Sequence, residues 1–122
     1  LKDQWQLLAD MQTMDEGTLE ARAIAPEDSP WFTGHFPGEP ILPGIALLDT
    51  VCRAIRIAEQ NRGREVSIGK LRRVRFTRPV RPGEHFRVSL SSEPTKEDTW
   101  VTFKISVEEN IVCSGQVAVC ST

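Results

Sequence analysis

Two side chains are suited by type and setting to move protons. His35 lies in the stretch Trp31 to Gly44, Trp-Phe-Thr-Gly-His-Phe-Pro-Gly-Glu-Pro-Ile-Leu-Pro-Gly. Asp49 lies five residues beyond it. Three prolines and three glycines exclude a regular element there, yet Trp31, Phe32, Phe36, Ile41 and Leu42 make the stretch apolar. An apolar loop stiffened by Pro37, Pro40 and Pro43 is expected to be buried on a fixed path, and such loops often carry function. Gly44 opens the helix that bears Asp49, where backbone N–H groups are unpaired and the dipole end is positive. A base, a carboxyl group and a backbone donor in one apolar pocket would suit proton abstraction beside a carbonyl. The base takes the proton, the donor holds the enolate oxygen and the acid helps a hydroxyl leave. Two plainer readings compete. A lone loop histidine is more often structural, and Asp49 with Arg53 at i+4 has the spacing of an ordinary helix-surface pair. The residues alone leave both open.

The elements that must position these groups are legible to different degrees. Gly44 to about Gln60 reads as one strong helix with a wide apolar stripe of Ile45, Leu48, Val51, Cys52, Ile55 and Ala58. Asn61-Arg62-Gly63 closes it. Trp5, Leu8, Met11 and Met14 are three apart, which suits a short amphipathic helix or a helix-to-strand entry. Thr18 to Ala25 alternates imperfectly and reads as a strand. From Val66 onward the pattern is β. Val66 to Phe76 is a long strand, and residues 77 to 83 turn or bulge it. Phe86, Val88 and Leu90 then alternate with polar residues, as do Val101, Phe103, Ile105 and Val107, and Ile111 to Val119 is apolar on both faces. Pro94 to Asp98 and Glu108 to Asn110 look like hairpin turns. One buried helix and about five strands predict a single α+β domain over residues 1–122, an antiparallel sheet wrapped around the helix.

Composition narrows the function. The chain has 122 residues, is 39% hydrophobic and 26% charged, and has net charge −2. These are values of an ordinary globular domain. No run approaches the ~20 apolar residues of a membrane span, and the N-terminal residues show no secretory pattern. Bulk charge does not suit a nucleic-acid binder. The charge is uneven, however: −7 over residues 1–50, then +7 over residues 51–85. Cys52, Cys113 and Cys120 lack CxxC spacing and read as reduced, mostly buried thiols of a cytoplasmic protein. Cys113 and Cys120 share one strand, so a bond between them is not expected. Two histidines fifty residues apart form no metal cluster, and no nucleotide loop is visible. No cofactor is expected. His85 reads as a strand or surface residue without a chemical task.

The segment Phe32-Thr33-Gly34-His35-Phe36-Pro37-Gly38-Glu39-Pro40-Ile41-Leu42-Pro43-Gly44, with Asp49 five residues on, resembles the signature of the β-hydroxyacyl-acyl-carrier-protein dehydratases of fatty acid synthesis. Residues 74–84 resemble the family's strand and Pro-Gly-acid turn after the helix, and residues 109–112 its last hairpin. The resemblance covers most of the chain from Gly17 on. It implies a hot-dog fold, a long central helix in a curled antiparallel sheet. It implies a homodimer, or a higher oligomer of dimers, joined through the sheets, with a tunnel between subunits. By that resemblance His35 takes the C2 proton, Asp49 of the other subunit helps the 3-hydroxyl leave, and the Gly44 N–H polarises the thioester carbonyl. Phe32, Phe36, Pro43, Ile45 and Arg53 would bind substrate. The partner implied is acyl carrier protein bearing a phosphopantetheine-linked substrate. Arg72, Arg73 and Arg78, within the basic run Lys70 to Arg81, would bind that acidic carrier. Equally, alternate arginines simply line a solvated sheet face.

Three positions depart from the family. Asp49 stands where the main branch has Glu, and Asp is typical of the branch that also isomerises the new double bond. Arg53 replaces a Gln. The N-terminal Pro-His-Arg-Tyr-Pro stretch is missing. A buried arginine at the reacting centre is costly to desolvate, so Arg53 is expected to turn outward, to solvent or to the phosphopantetheine phosphate. The reading this gives is a (3R)-3-hydroxyacyl-acyl-carrier-protein dehydratase that forms a trans-2-enoyl thioester. A non-catalytic acyl-thioester-binding subunit stands against it. So does a hot-dog thioesterase, although thioesterases of this fold usually lack the Gly-His-Phe-Pro motif.

Overall fold

The helix Gly44–Gln60 (α1) forms over the expected span, and six strands curl around it, but of the expected stripe only Val51 and Ile55 are buried, together with Ala46, Leu47, Thr50 and Ala54, while Ile45 is 62% exposed. They are β1 (Leu8–Thr13), β2 (Thr18–Ile24), β3 (Val66–Phe76), β4 (His85–Pro94), β5 (Thr99–Val107) and β6 (Asn110–Ser121). The computed structural model describes residues 4–13, 18–33, 40–94 and 99–121. His35, Phe36 and the turn residues 95–98 lie outside the described residues. All pairings are antiparallel, in the order β1-β2-β4-β5-β6-β3, and the sheet is open, with β1 and β3 at its edges. This is the hot-dog architecture. None of the described helices is long and apolar enough to cross a membrane.

The core sits between the inner sheet face and one side of α1. Phe86, Val88, Leu90, Val101, Phe103 and Ile105 alternate inward from β4 and β5 onto Leu47, Val51, Ala54 and Ile55. Burying each such side chain is worth about 1.5–3 kcal/mol. Thr50 is also buried, and its hydroxyl donates to the Ala46 carbonyl at 2.8 Å, so its polar atom is satisfied inside the helix. Asn61 and Gly63 (φ 76°) end the helix as its sequence predicts.

The segment expected as a short amphipathic helix or a helix-to-strand entry, Trp5 to Met14, contains strand β1, which makes six strands rather than about five. Its three-residue apolar spacing has a β explanation. Leu8 pairs with Ala23, Asp10 with Arg22 and Met11 with Ala21, so a bulge between Leu8 and Asp10 adds one residue. The bulge turns Leu8 and Met11 to the same face, and both pack on the core. A helical period and a bulged strand are indistinguishable over so short a run.

Strand β3 is bulged twice. Between Ile68 and Leu71 it has two residues against Ala118 of β6, and between Arg72 and Arg75 it has two against Gly115. Arg73 in the second bulge has φ 56°. These bulges break the in-out alternation, so residues 69–73 are all exposed. A Cβ on Gly115 would lie 2.9 Å from Cζ of the fully buried Phe103 and 3.1 Å from the Val74 Cα. Neither neighbour can give way easily. Gly115→Ala is therefore expected to destabilise the fold by about 1–3 kcal/mol, read as a lower urea midpoint at unchanged m-value. An unchanged midpoint would show that ring and strand can part there.

Candidate active site

Asp49 points away from the sheet, on the stripe of α1 that also bears Ile45 (62% exposed), Arg53 and Arg56. The start of α1 is held from two sides. Leu42 is buried, and its N–H donates to the carbonyl of fully buried Val80 at 2.7 Å. The segment carrying Val80 is itself tied down, Thr77 N–H to the Val112 carbonyl (2.9 Å) and Gly83 N–H to the Ala25 carbonyl (2.6 Å). Pro43 is the N-cap, and no side chain among the described residues caps the helix. The Ala46 N–H is taken by the Pro43 carbonyl at 2.9 Å. The earlier Gly44 amide has no partner among the described residues, as a donor for an external oxygen requires. A Cβ on Gly44 would lie 2.8 Å from Cζ of Phe76, so glycine lets this ring lie against the helix start. Phe76, 49% exposed, is a neighbour of the site that sequence reasoning missed.

Arg53 does not turn outward. Its Nε donates to Oδ2 of Asp49 at 2.7 Å. The expectation failed on its premise: the two side chains remain 29% and 31% exposed, so neither bears the full cost of burial. The pair lines an open groove of about 340 Å³ with Gln6, Arg56, Ile57 and Gln60. Of the predicted catalytic and substrate-binding residues, Asp49 and Arg53 meet in this groove. Gly44, Pro43 and Ile45 lie at the helix start one turn away. Phe32 closes the short 3-10 helix Pro30–Phe32 and packs on the core. Trp31, beside it, meets Trp5 edge-on at 4.8 Å and donates its indole N–H to the Trp5 carbonyl. Gln6, Arg56 and Gln60 were not singled out from sequence. Arg56 and Gln60 could have been, at seven and eleven residues from Asp49 on one helix face. Nothing in the sequence marks Gln6.

The arginines expected to bind a carrier fall into different settings. Arg72 lies 3.6 Å over the Trp100 ring and donates to Gln116 at 2.7 Å, so it is anchored on the outer sheet face. Arg78 is partly buried and pairs with Glu84 at 3.5 Å. Arg73 is exposed in its bulge. Neither Cys52 nor Cys113 is an activated nucleophile. Burial pushes the Cys113 thiol up to about 11, and burial raises Cys52 against the opposing field of Arg56. Cys120 is exposed, contrary to the expectation of mostly buried thiols, because it lies near the end of β6. A second cavity, of about 240 Å³, lies across the helix from Asp49 between Leu19, Ile55, Leu90 and Val101, and none of the predicted site residues lines it. Among the described residues no group of three His, Cys, Asp or Glu could hold a metal.

Residues 11–116 match the ApeI-like family, described as ApeI dehydratase. The chain belongs to this family of hot-dog dehydratases. It is 32% identical over 99 residues to the 3-hydroxyacyl-[acyl-carrier-protein] dehydratase FabZ of Syntrophobacter fumaroxidans, covering 74% of this chain and 65% of that protein. It is 38% identical over 80 residues to the FabZ of Haemophilus influenzae, covering 62% of this chain and 53% of that one. The chain thus spans less than two thirds of the length of these relatives. Among solved structures, the dehydratase heterocomplex ApeI:P from Xenorhabdus doucetiae superposes with a TM-score of 0.74 at 20% identity, covering 94% of this chain and 97% of that one. The PaaI protein of Escherichia coli gives 0.73 at 16%, covering 93% and 78%. At these identities the structures speak for the fold alone.

Proposed function

We propose that the protein removes water from a (3R)-3-hydroxyacyl thioester on acyl carrier protein, giving the trans-2-enoyl thioester. The observation that carries this reading is Asp49 on the open stripe of α1, just past an uncapped Gly44 amide and the Gly-His-Phe-Pro segment. His35 takes the C2 proton, and the C–H electrons move into an enolate whose oxygen accepts from the Gly44 N–H. The enolate then collapses: the thioester carbonyl re-forms, a C2–C3 double bond forms and the C3–O bond breaks. With Arg53 already on Asp49, the carboxylate orients the 3-hydroxyl as an acceptor, and the proton on His35 leaves with the hydroxyl as water. Phe32, Phe36, Pro43 and Ile45 would wall the acyl path. The exposed basic edge of β3, Arg73 above all, would meet the acidic carrier. The reading places the protein in the cytoplasm, in fatty acid synthesis. The test is incubation with a short and a long 3-hydroxyacyl carrier thioester, following the 2-enoyl product. Release of free acid instead would mean a thioesterase, and no reaction at either length would overturn the assignment.

The active unit in this reading is a homodimer, with His35 of one subunit facing Asp49 of the other. His35→Ala and Asp49→Asn subunits, each inactive alone, are then expected to recover about a quarter of the activity after mixed refolding. Random pairing makes half the dimers mixed, and each of these holds one intact site. No recovery would place both residues in one subunit. The Arg53–Asp49 pair favours a second reading, an acyl-thioester-binding subunit that pairs with a different hot-dog chain. The Xenorhabdus relative was solved as a heterocomplex.

A further inference from the structure

A trench runs between the sheet and the end of α1 remote from Gly44. The cavity of about 240 Å³ forms one half of it, with Leu19, Ile55, Ala58, Leu90 and Val101 as apolar walls. A neighbouring cavity of about 200 Å³ shares Ile55, Glu59, Arg62, Ser92 and Val101 with the first and is more polar, adding Arg64, Thr99 and Ser121. Together the two touch β2, β4, β5 and β6, which are neighbours in the sheet. The trench thus crosses three strand gaps, about 14 Å at roughly 4.8 Å each. It is apolar toward β2 and polar toward β6. Glu59, 20% exposed, is answered by Arg64 at 3.7 Å. Arg62 is exposed, and its side chain makes no ion pair among the described residues. Helix-end carbonyls would repel an anion, but here they are taken. The Asn61 N–H donates to the Ile57 carbonyl at 3.0 Å, and the Arg62 and Arg64 N–H groups donate to that of Glu59 at 3.0 and 2.9 Å. One guanidinium is left over beside an apolar slot.

We propose that this trench binds a medium-chain fatty carboxylate, its alkyl chain between Leu19, Ile55, Leu90 and Val101 and its carboxylate on Arg62. A chain suits a site spread across four strands better than a compact ring does. The walls at the β2 end are aliphatic, so an apolar chain there removes both surfaces from water. A guanidinium meets a carboxylate through two parallel N–H donors. Arg62 and Arg64 against Glu59 leave one net positive charge, which matches a singly charged head. The ligand is accessory to the reaction, because α1 separates it from Asp49 and a free acid carries no thioester. The proposal does not rest on the dehydratase reading.

Methyl NMR on the intact protein, titrated with octanoate, hexanoate and 1-octanol, reads both place and affinity. Octanoate is expected to shift the methyl signals of Leu19, Leu90 and Val101, which line the slot. It should bind about tenfold more tightly than hexanoate, the effect of two further buried methylenes. It should bind about fivefold more tightly than 1-octanol, the upper size for an exposed ion pair. Arg62→Gln should bring the octanoate-to-octanol ratio near one and keep the preference for the longer chain. Arg56→Gln, which changes an arginine of the Asp49 groove instead, should leave both ratios as they are. Ala58→Phe, which places a ring in the slot, should weaken all three ligands by tenfold or more. Arg62 is exposed, so Arg62→Gln reports on the site even where Ala58→Phe does not fold. Equal affinity for octanoate and 1-octanol, an unchanged ratio in Arg62→Gln, or no shift of the Leu19, Leu90 and Val101 methyls at millimolar octanoate would overturn the proposal. Shifts confined to Ile45, at the other end of α1, would overturn it too, since the acid would then lie on the reaction side of the helix.

Discussion

His35→Ala is expected to lower kcat by about a thousandfold, within the range for loss of a general base, while the thermal midpoint hardly moves. His35 lies outside the described residues, and the size of the loss depends on what else could take the C2 proton. Around the groove the candidates are few. The Asp49 carboxylate is engaged by Arg53 at 2.7 Å, and Arg53 and Arg56 are cations. Cys52 is half-buried, with its thiol raised by that burial, so little thiolate is present at neutral pH. His85 is exposed at the start of β4, on a different element from the groove. No described group replaces the histidine, and the Gly44 amide can stabilise an enolate but not create it. Steady-state rates on a 3-hydroxyacyl thioester, with circular dichroism as the fold control, give the answer. Turnover near the wild-type level would remove His35 from the mechanism.

What the sequence disclosed and what it concealed follow from how local each signal is. The helix bounds Gly44 and Gln60 and the strand bounds Val66 and Phe76 were legible because a wide apolar stripe and a long β run are local patterns. Strand β1 was not. Its bulge at Leu8–Asp10 is set by pairing with β2 and imitates a helical period. The bulges that expose the arginines of β3 were equally hidden, since they answer to Gly115 and Ala118 on β6. The i+4 spacing of Asp49 and Arg53 announced a pair. The desolvation cost that would turn Arg53 outward is small for side chains about a third exposed. The basic run was read two ways from sequence, and the structure divides it: Arg72 is stacked on Trp100, whereas Arg73 stands free in solvent on its bulge. Gln6 reaches the groove only through the tertiary fold, so no spacing could have reported it.

Asp49→Asn and Arg53→Gln are expected to act in opposite directions. Asparagine has nearly the shape of aspartate, and its carbonyl oxygen can still accept from Arg53 Nε, so the helix and the groove should survive. In the proposed mechanism the charged acceptor that orients the 3-hydroxyl is then lost, and kcat should fall by about a hundredfold or more. Arg53→Gln removes the competing cation and restores a neutral neighbour one helical turn from the acid. The size of its effect is bounded. An ion pair whose partners are 29% and 31% exposed is worth no more than about 1 kcal/mol. Freeing Asp49 from it should therefore raise kcat by about fivefold at most. Salt supplies an independent check. Raising the ionic strength weakens the same pair and should bring wild-type kcat part of the way toward that of Arg53→Gln, while Arg53→Gln itself responds less. A fall in kcat with Arg53→Gln would mean that the arginine holds the carboxylate in its working position. It would then be a positioning residue of this chain, in the place where the related dehydratases have glutamine.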